Sequence, residues 1–281
     1  MYVIKLKNIL LIFAALAVVI IGGATARAVV QTAADSKEYA HVPILMYHSI
    51  LKNNNGSKYI VSPSALENDL KFLQDNGYTT ILIQDLIDYV YNGAELPEKP
   101  VVLTFDDGCY NNYVYVYPLL KKYNAKAVIS IVGEYTDRYS DKPDPNPNYA
   151  YLSWDEATEL MESGYIEIQN HTYNLHSMNK GRSGCKKKRG ESAEQYEQLL
   201  NSDIGLLQQK CEQHLGKAPT AFTYPFGSVS TASYDIIRSL GFKASLSCEE
   251  GVNELDRSPE KLYMLKRYIR TPSRRAEDIL K

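Results

Sequence analysis

Short apolar runs alternate with amphipathic stretches along most of this chain. Residues 42–47 form an apolar run that ends at His48, a first buried strand. Ser62 or Ser64 then caps a helix reaching Asn76, with Leu66, Leu70 and Leu73 at helical spacing and Gly77 just past its end. A short strand over 79–83 and a helix over 85–91 precede a loop marked by Gly93 and Pro97. Val101, Val102 and Leu103 lead directly into Thr104-Phe105-Asp106-Asp107-Gly108. Beyond it, the pattern predicts a helix over 112–123, kinked or delayed by Pro118, and a strand over 127–132. A stretch rich in proline and asparagine reads as a long loop ending at Ser153, which starts a helix closed by Gly164. Residues 165–171 form a strand that again ends in histidine, His171. A glycine- and lysine-rich insertion follows His176, then a helix over 194–214 closed by Gly216. The strand over 221–224 runs into Pro225-Phe226-Gly227, and a helix over 232–240 with strands over 242–246 and 263–269 completes the pattern.

This alternation, with polar residues gathered at strand C-terminal ends, predicts parallel β/α units closing into a barrel or nearly so. No internal repeat and no second composition regime follow, so one catalytic-size domain is expected over 41–281, after a polar linker over 28–40. The first 27 residues differ. Lys5 and Lys7 precede an uncharged apolar run over 9–21 and then Gly22-Gly23-Ala24-Thr25-Ala26, the pattern of a signal peptide or, left uncleaved, of a membrane anchor. The expected location is the outer side of the cytoplasmic membrane, secreted or anchored, at the cell wall.

Composition narrows the partners. A net charge of −2 over 281 residues gives no argument for nucleic acid, and a monomer is expected. The four cysteines, Cys109, Cys185, Cys211 and Cys248, show no metal-binding spacing; export permits disulfides without assigning pairs. Twenty-three tyrosines against one tryptophan suit carbohydrate contacts, although a compositional habit accounts for the count equally well.

The Asp106-Asp107-Gly108 turn has two readings: residues capping the next helix, or a pair of catalytic groups. Adjacent residues on an extended segment point to opposite sides, so the two carboxylates have different tasks. In a parallel barrel the strand C-terminal ends share one face. That face collects His48, Asp106 with Asp107, His171 with His176, and Tyr224-Pro225-Phe226. One Asp and two His supply the oxygen and nitrogen donors of a catalytic metal site that keeps a position for water.

With these residues in view, the chain resembles the polysaccharide deacetylase family, the NodB-homology or carbohydrate esterase family 4 group. Thr104-Phe105-Asp106-Asp107-Gly108 matches its first motif, His171-Thr172 through His176 its metal-histidine motif, and Tyr224-Pro225-Phe226-Gly227 its Pro-aromatic-Gly motif. The likeness covers roughly residues 41–270. It implies a distorted (β/α) barrel of about seven parallel strands, removal of acetyl groups from N-acetylated sugars, and a divalent metal, most often Zn2+, with Co2+, Ni2+ or Mn2+ as alternatives. By position, Asp107, His171 and His176 become metal ligands and Asp106 the general base. Tyr224, Pro225 and Phe226 become the substrate and oxyanion group, with the Phe226 N–H as donor.

Three departures qualify the match. The histidines stand five apart rather than four, which resembles the branch acting on poly-N-acetylglucosamine. Thr223 replaces the arginine that usually supports the base, leaving Arg267 or Arg270 as substitutes. The late Leu-x-x-His motif is missing, and His48 takes the role of acid in its place. The expected substrate is peptidoglycan or poly-N-acetylglucosamine. Two rivals remain: a surface glycan-binding protein of the same fold with reduced or lost catalysis, and a deacylase of a small amide. The basic run over 186–189 either attracts an anionic polymer or is a solvated loop.

Overall fold

A computed structural model describes residues 39–179 and 181–280; the expected signal or anchor segment lies outside them. Eight parallel strands form the central sheet: β1 (Ile44–Tyr47), β2 (Thr79–Ile81), β3 (Pro100–Asp107), β4 (Ala127–Ile131), β5 (Ile166–Asn170), β6 (Ala221–Thr223), β7 (Ala244–Leu246) and β8 (Tyr268–Ile269). Their order is β7-β6-β5-β4-β3-β1-β8, and β2 pairs with the first half of β3 on the edge whose second half carries β1. The sheet curls, and one segment joins its two ends. Leu265 bridges Leu246 on β7, and three residues later β8 pairs with Leu45 and Met46 on β1. This is the distorted barrel expected from the alternation of elements.

Side-chain alternation along β3 explains how the barrel is filled. Val101, Leu103 and Phe105 face outward into a cluster shared with helices α1 (Pro63–Asp75), α3 (Tyr117–Tyr123), α5 (Trp154–Glu162) and α6 (Ala193–Leu215). Val102 belongs to the inner cluster with Ile44, Val128, Ala221 and Leu246. Thr104 and Asp106 take the next two inward positions and are buried. The interior therefore turns from apolar to polar toward the strand C-terminal ends.

Local sequence accounts for most boundaries. The Ser62 side chain accepts the Ala65 N–H at the start of α1, Ser153 caps α5 with Glu156 in a capping box, and Gly216 ends α6 at φ 74. Pro118 has no N–H to give a continuous helix over 112–123. The chain answers with a π-helical turn, Asn112–Val116, in which the Tyr117 N–H reaches Asn112 O, and only then enters α3. The strand expected over 263–269 is shorter, Tyr268–Ile269, and a second expectation fails. The segment before Ser153 is not all loop, because Gly133–Asp141 forms helix α4. Helices α2 (Ile83–Tyr91), α7 (Ser233–Ser239) and α8 (Ala276–Ile279) complete the outer layer.

Glu167, on the inward face of β5 and 5 % exposed, accepts hydrogen bonds from the Gln84 N–H and the Gln169 side chain. Burial pushes its carboxyl up to about 7, against those two donors. A folded pKa above the ordinary 4.5 means that this contribution to stability is complete at low pH and is lost as pH rises through the folded value. The stability of the natural protein relative to Glu167→Gln is therefore expected to fall by about 3 kcal/mol from mildly acidic pH to pH ~8. Urea melts of both proteins at each pH check this, and a pH-independent difference would contradict it.

Candidate active site

Strand β3 delivers the two carboxylates in different directions because its backbone turns between them. Asp107 sits at φ 76, a left-handed conformation uncommon for a side-chain-bearing residue, and Gly108 follows at φ 71. A Cβ on Gly108 would stand 2.9 Å from Ile131 Cγ2, so glycine lets the turn lie against β4. Asp106 stays inside the barrel and Asp107 faces the loop after β5.

Asp106 is held by the segment that joins the ends of the sheet. Arg267 donates from Nη1 and Nη2 to the two Asp106 oxygens at 2.7 and 2.9 Å, a bidentate pair. Its Nε donates to Ser247 O at 2.8 Å, and Nη1 also reaches Thr104 Oγ1 at 3.2 Å. The guanidinium is wholly buried. Burial alone would raise the Asp106 pKa, but the charge and hydrogen bonds of Arg267, together with the fields of His171 and His48, outweigh it and hold the carboxyl below its ordinary value. Arg270, the other substitute considered from the sequence, is used elsewhere: it pairs with Asp69, which also accepts the Tyr47 O–H and the Ala276 N–H. Thr223 bonds Ser130 through its hydroxyl.

The histidine loop starts at the end of β5 and is fixed by short polar bonds. Asn170 Oδ1 accepts the Thr172 N–H (2.8 Å), Thr172 Oγ1 accepts the Leu175 N–H (3.2 Å), and Thr172 itself lies at φ 76. From α6, Asp203 accepts the N–H groups of Tyr173 and Asn174, both at 2.9 Å. Burial pushes the Asp203 carboxyl up to about 6, so it is ionised at neutral pH. These bonds bring His171 and His176 round to one point despite their separation in sequence.

Nε2 of His176 and of His171 lie 3.1 and 3.5 Å from Asp107 Oδ1, and all three atoms fall within 4.8 Å of one another. His171 Nδ1 is 2.8 Å from Thr223 O and donates to it, which leaves Nε2 with a lone pair facing Asp107. Asp107 Oδ1 is buried and has no aligned hydrogen bond. An acceptor oxygen and an acceptor nitrogen facing each other in a buried site fit a shared cation. Two donors each about 2.1 Å from a tetrahedral ion stand about 3.4 Å apart, close to the spacing here. Burial raises the Asp107 pKa, but when the neighbouring imidazoles carry a second proton their bonds and charge outweigh it and hold the carboxyl well below its ordinary value. Among the described residues, no other group of three such side chains converges in this way.

The remaining expected residues divide. Phe226 sits at φ 60, 41 % exposed, with its ring 4.4 Å from that of His176. Pro225 is buried beneath it. Tyr224 corrects the expectation of a substrate contact. Its ring packs edge-on against Phe222, its hydroxyl meets Ser233, and only its backbone is left to the site. His48 follows β1 with its ring 4.8 Å from Tyr59. Burial lowers its pKa, partly countered by the fields of Asp106 and Asp107, which reach it. The four cysteines are free. The basic run lies on a loop that props the Pro-Phe-Gly turn: a Cβ on Gly184 would meet Pro225 O at 2.8 Å, and the Lys187 N–H donates to Ser230 Oγ.

Asp203 carries no sequence signal, since its partners lie about thirty residues away and it is one acid among several polar residues on a long helix. Asp203→Ala is expected to weaken metal binding about 10–100-fold, the range typical when support behind a ligand is removed. Titration with Zn2+ monitored by calorimetry checks this, and unchanged affinity would show that the loop holds its shape without Asp203.

Comparison with known proteins gives consistent results. The profile of the polysaccharide deacetylase family matches residues 93–245. The poly-beta-1,6-N-acetyl-D-glucosamine N-deacetylase of Escherichia coli is 27 % identical over 223 residues, 72 % of this chain; the match spans only 33 % of that longer protein. The Staphylococcus aureus protein of the same name is 25 % identical, covering 73 % of this chain and 71 % of that one. Among solved structures, a de-N-acetylase from Aggregatibacter actinomycetemcomitans superposes with a TM-score of 0.73 at 27 % identity, covering 86 % of this chain and 99 % of that one. IcaB from Ammonifex degensii gives 0.69 at 25 % identity, covering 83 % and 92 %.

Proposed function

The chain belongs to the polysaccharide deacetylase family, and from that premise we propose that it hydrolyses N-acetyl groups of an N-acetylglucosamine polymer. The observation that carries this reading is the convergence of Asp107, His171 and His176 beside a second carboxylate, Asp106, held by its own arginine. The names of the E. coli and S. aureus relatives favour poly-N-acetylglucosamine, with peptidoglycan next. The N-terminal apolar segment favours action outside the cytoplasmic membrane, with the chain secreted or anchored.

Asp107, His171 and His176 would hold a divalent ion, zinc by donor set, which when bound polarises the amide carbonyl and makes water acidic enough to attack near neutral pH. Asp106 takes the proton of the attacking water, and Arg267 keeps it ionised and aimed. The Phe226 N–H supports the oxygen that gains negative charge; removing one such donor typically costs about 2.7–4 kcal/mol of transition-state stabilisation. The Phe226 ring and Pro225 wall the acetyl group. His48 delivers the proton that the leaving amine needs. Its resting ring is neutral at pH 7 because burial lowers its pKa, so the proton it delivers is the one that Asp106 took from water, passed on within the site as negative charge develops on the attacked amide. A His48→Gln enzyme with full kcat would remove it from this role.

The rival reading, a glycan-binding protein without catalysis, drew on the missing motif arginine and late histidine. Arg267 at Asp106 answers the first. Acetate release from poly-N-acetylglucosamine, peptidoglycan and chitin oligomers separates the readings. The deacetylase releases acetate from at least the first, whereas glycan binding without any acetate favours the rival.

A further inference from the structure

The tyrosines beside the site form a feature that the catalytic roles leave unused. Tyr135 lies near the start of α4, where the Gly133 N–H donates to Thr172 O at 3.1 Å and the Glu134 N–H to Tyr173 O at 2.8 Å. The start of α4 is thus fastened to the loop between His171 and His176. Tyr151 arrives from another direction. It forms an antiparallel bridge with Cys109, two residues past Asp107, and the Leu152 N–H donates to Gly108 O at 2.9 Å. The Tyr135 and Tyr151 rings meet with centroids 4.3 Å apart, and Tyr139, one helical turn further on, lies 5.8 Å from Tyr151. All three are part-exposed, and Tyr149 beyond them is 55 % exposed.

The interleaved charges are satisfied. Glu134 pairs with Arg138, and Asp137 binds Lys210, the Trp154 indole Nε1–H and the Tyr173 O–H. A surface of rings and phenols whose interleaved charges are paired, with the Asp107 carboxylate behind it, suits a neutral sugar better than an anion: the pyranose C–H face stacks on the ring while hydroxyl groups hydrogen-bond. It also starts where the ligand-bearing loop and the Asp-Asp-Gly turn come together, so a polymer threaded past the metal ligands reaches it directly.

Resting on the deacetylase reading, we propose that Tyr135, Tyr139 and Tyr151 form a stacking platform for a sugar unit neighbouring the one that loses its acetyl group. The platform makes the enzyme act on oligomers in preference to single N-acetylglucosamine units. The test uses β-1,6-linked N-acetylglucosamine of one to five units with the natural protein, Tyr135→Leu/Tyr139→Leu and Tyr135→Phe/Tyr139→Phe. Acetate release gives kcat and KM, and calorimetry gives the Kd of the pentamer for chelator-treated protein. The leucine pair is expected to raise pentamer KM and Kd about tenfold, with the monosaccharide KM unchanged and the phenylalanine pair close to natural. An unchanged pentamer Kd, or equal losses on monosaccharide and pentamer, would overturn the platform. Absence of acetate from every oligomer with the natural protein would instead overturn the deacetylase reading, and the pentamer Kd alone would then decide the platform.

Discussion

Asp106→Asn is expected to lower kcat for acetate release about 10²–10⁴-fold, the range for losing a general base, while the protein still binds one metal ion. The separation of the two effects follows from the geometry. Asp107 faces His171 and His176 and belongs to the proposed ligand set, whereas both oxygens of Asp106 are taken by Arg267 inside the barrel. An amide at this position keeps one acceptor for the guanidinium but cannot take a proton from water. Metal analysis and kinetics on the same preparation check the result. Loss of the metal together with activity would make Asp106 a ligand, and full activity would make it structural.

Arg267→Ala is expected to have the largest effect on stability. It leaves the Asp106 carboxylate, 2 % exposed, without its partner, and breaking a buried pair from one side typically costs about 3–5 kcal/mol. Activity should fall with it, because the base loses both its aim and the charge that keeps it ionised. Arg267→Lys should recover little, since a single ammonium cannot reproduce two parallel bonds together with those to Ser247 and Thr104. Denaturant melts of the three proteins, with kinetics below each midpoint, are the check. A lysine variant equal to the natural protein would show that charge alone suffices.

These two residues also mark the boundary of what could be read from sequence. The strands were legible because β3 and β4 are buried on both faces and read as apolar runs, while β5 alternates Ile166 and Ile168 with polar residues. The site was legible where its groups close such runs: Asp106 and Asp107 after Val101-Val102-Leu103, His171 after the 165–170 strand. Arg267 could be narrowed only to itself or Arg270, because both lie on the final segment and the choice depends on which of them turns inward. Arg270 faces Asp69 on α1 instead.

Helix α4 was missed for a different reason. Its buried positions are Gly133 and Thr136, so it lacks an apolar stripe. It is supported by the Glu134–Arg138 pair and by backbone bonds to the histidine loop. Tyr224 was misplaced because the motif brings it next to the site in sequence. On β6 and just beyond it, the positions alternate, sending Phe222 and Tyr224 outward into the cluster with Tyr196 and Thr223 inward. Asp203 was invisible because its task is to bind backbone far along the chain, which no local pattern reports.

Asp107, His171 and His176 are proposed to hold a metal ion that acetyl removal requires. The most direct measurement is metal content with acetate release from poly-N-acetylglucosamine, for the natural protein, a chelated sample, the chelated sample resupplied with Zn2+, and Asp107→Ala. The expected result is about one ion per chain and robust release for the natural protein, loss of both on chelation, recovery with Zn2+, and neither in Asp107→Ala. Full acetate release from metal-free protein, or from Asp107→Ala, would contradict it.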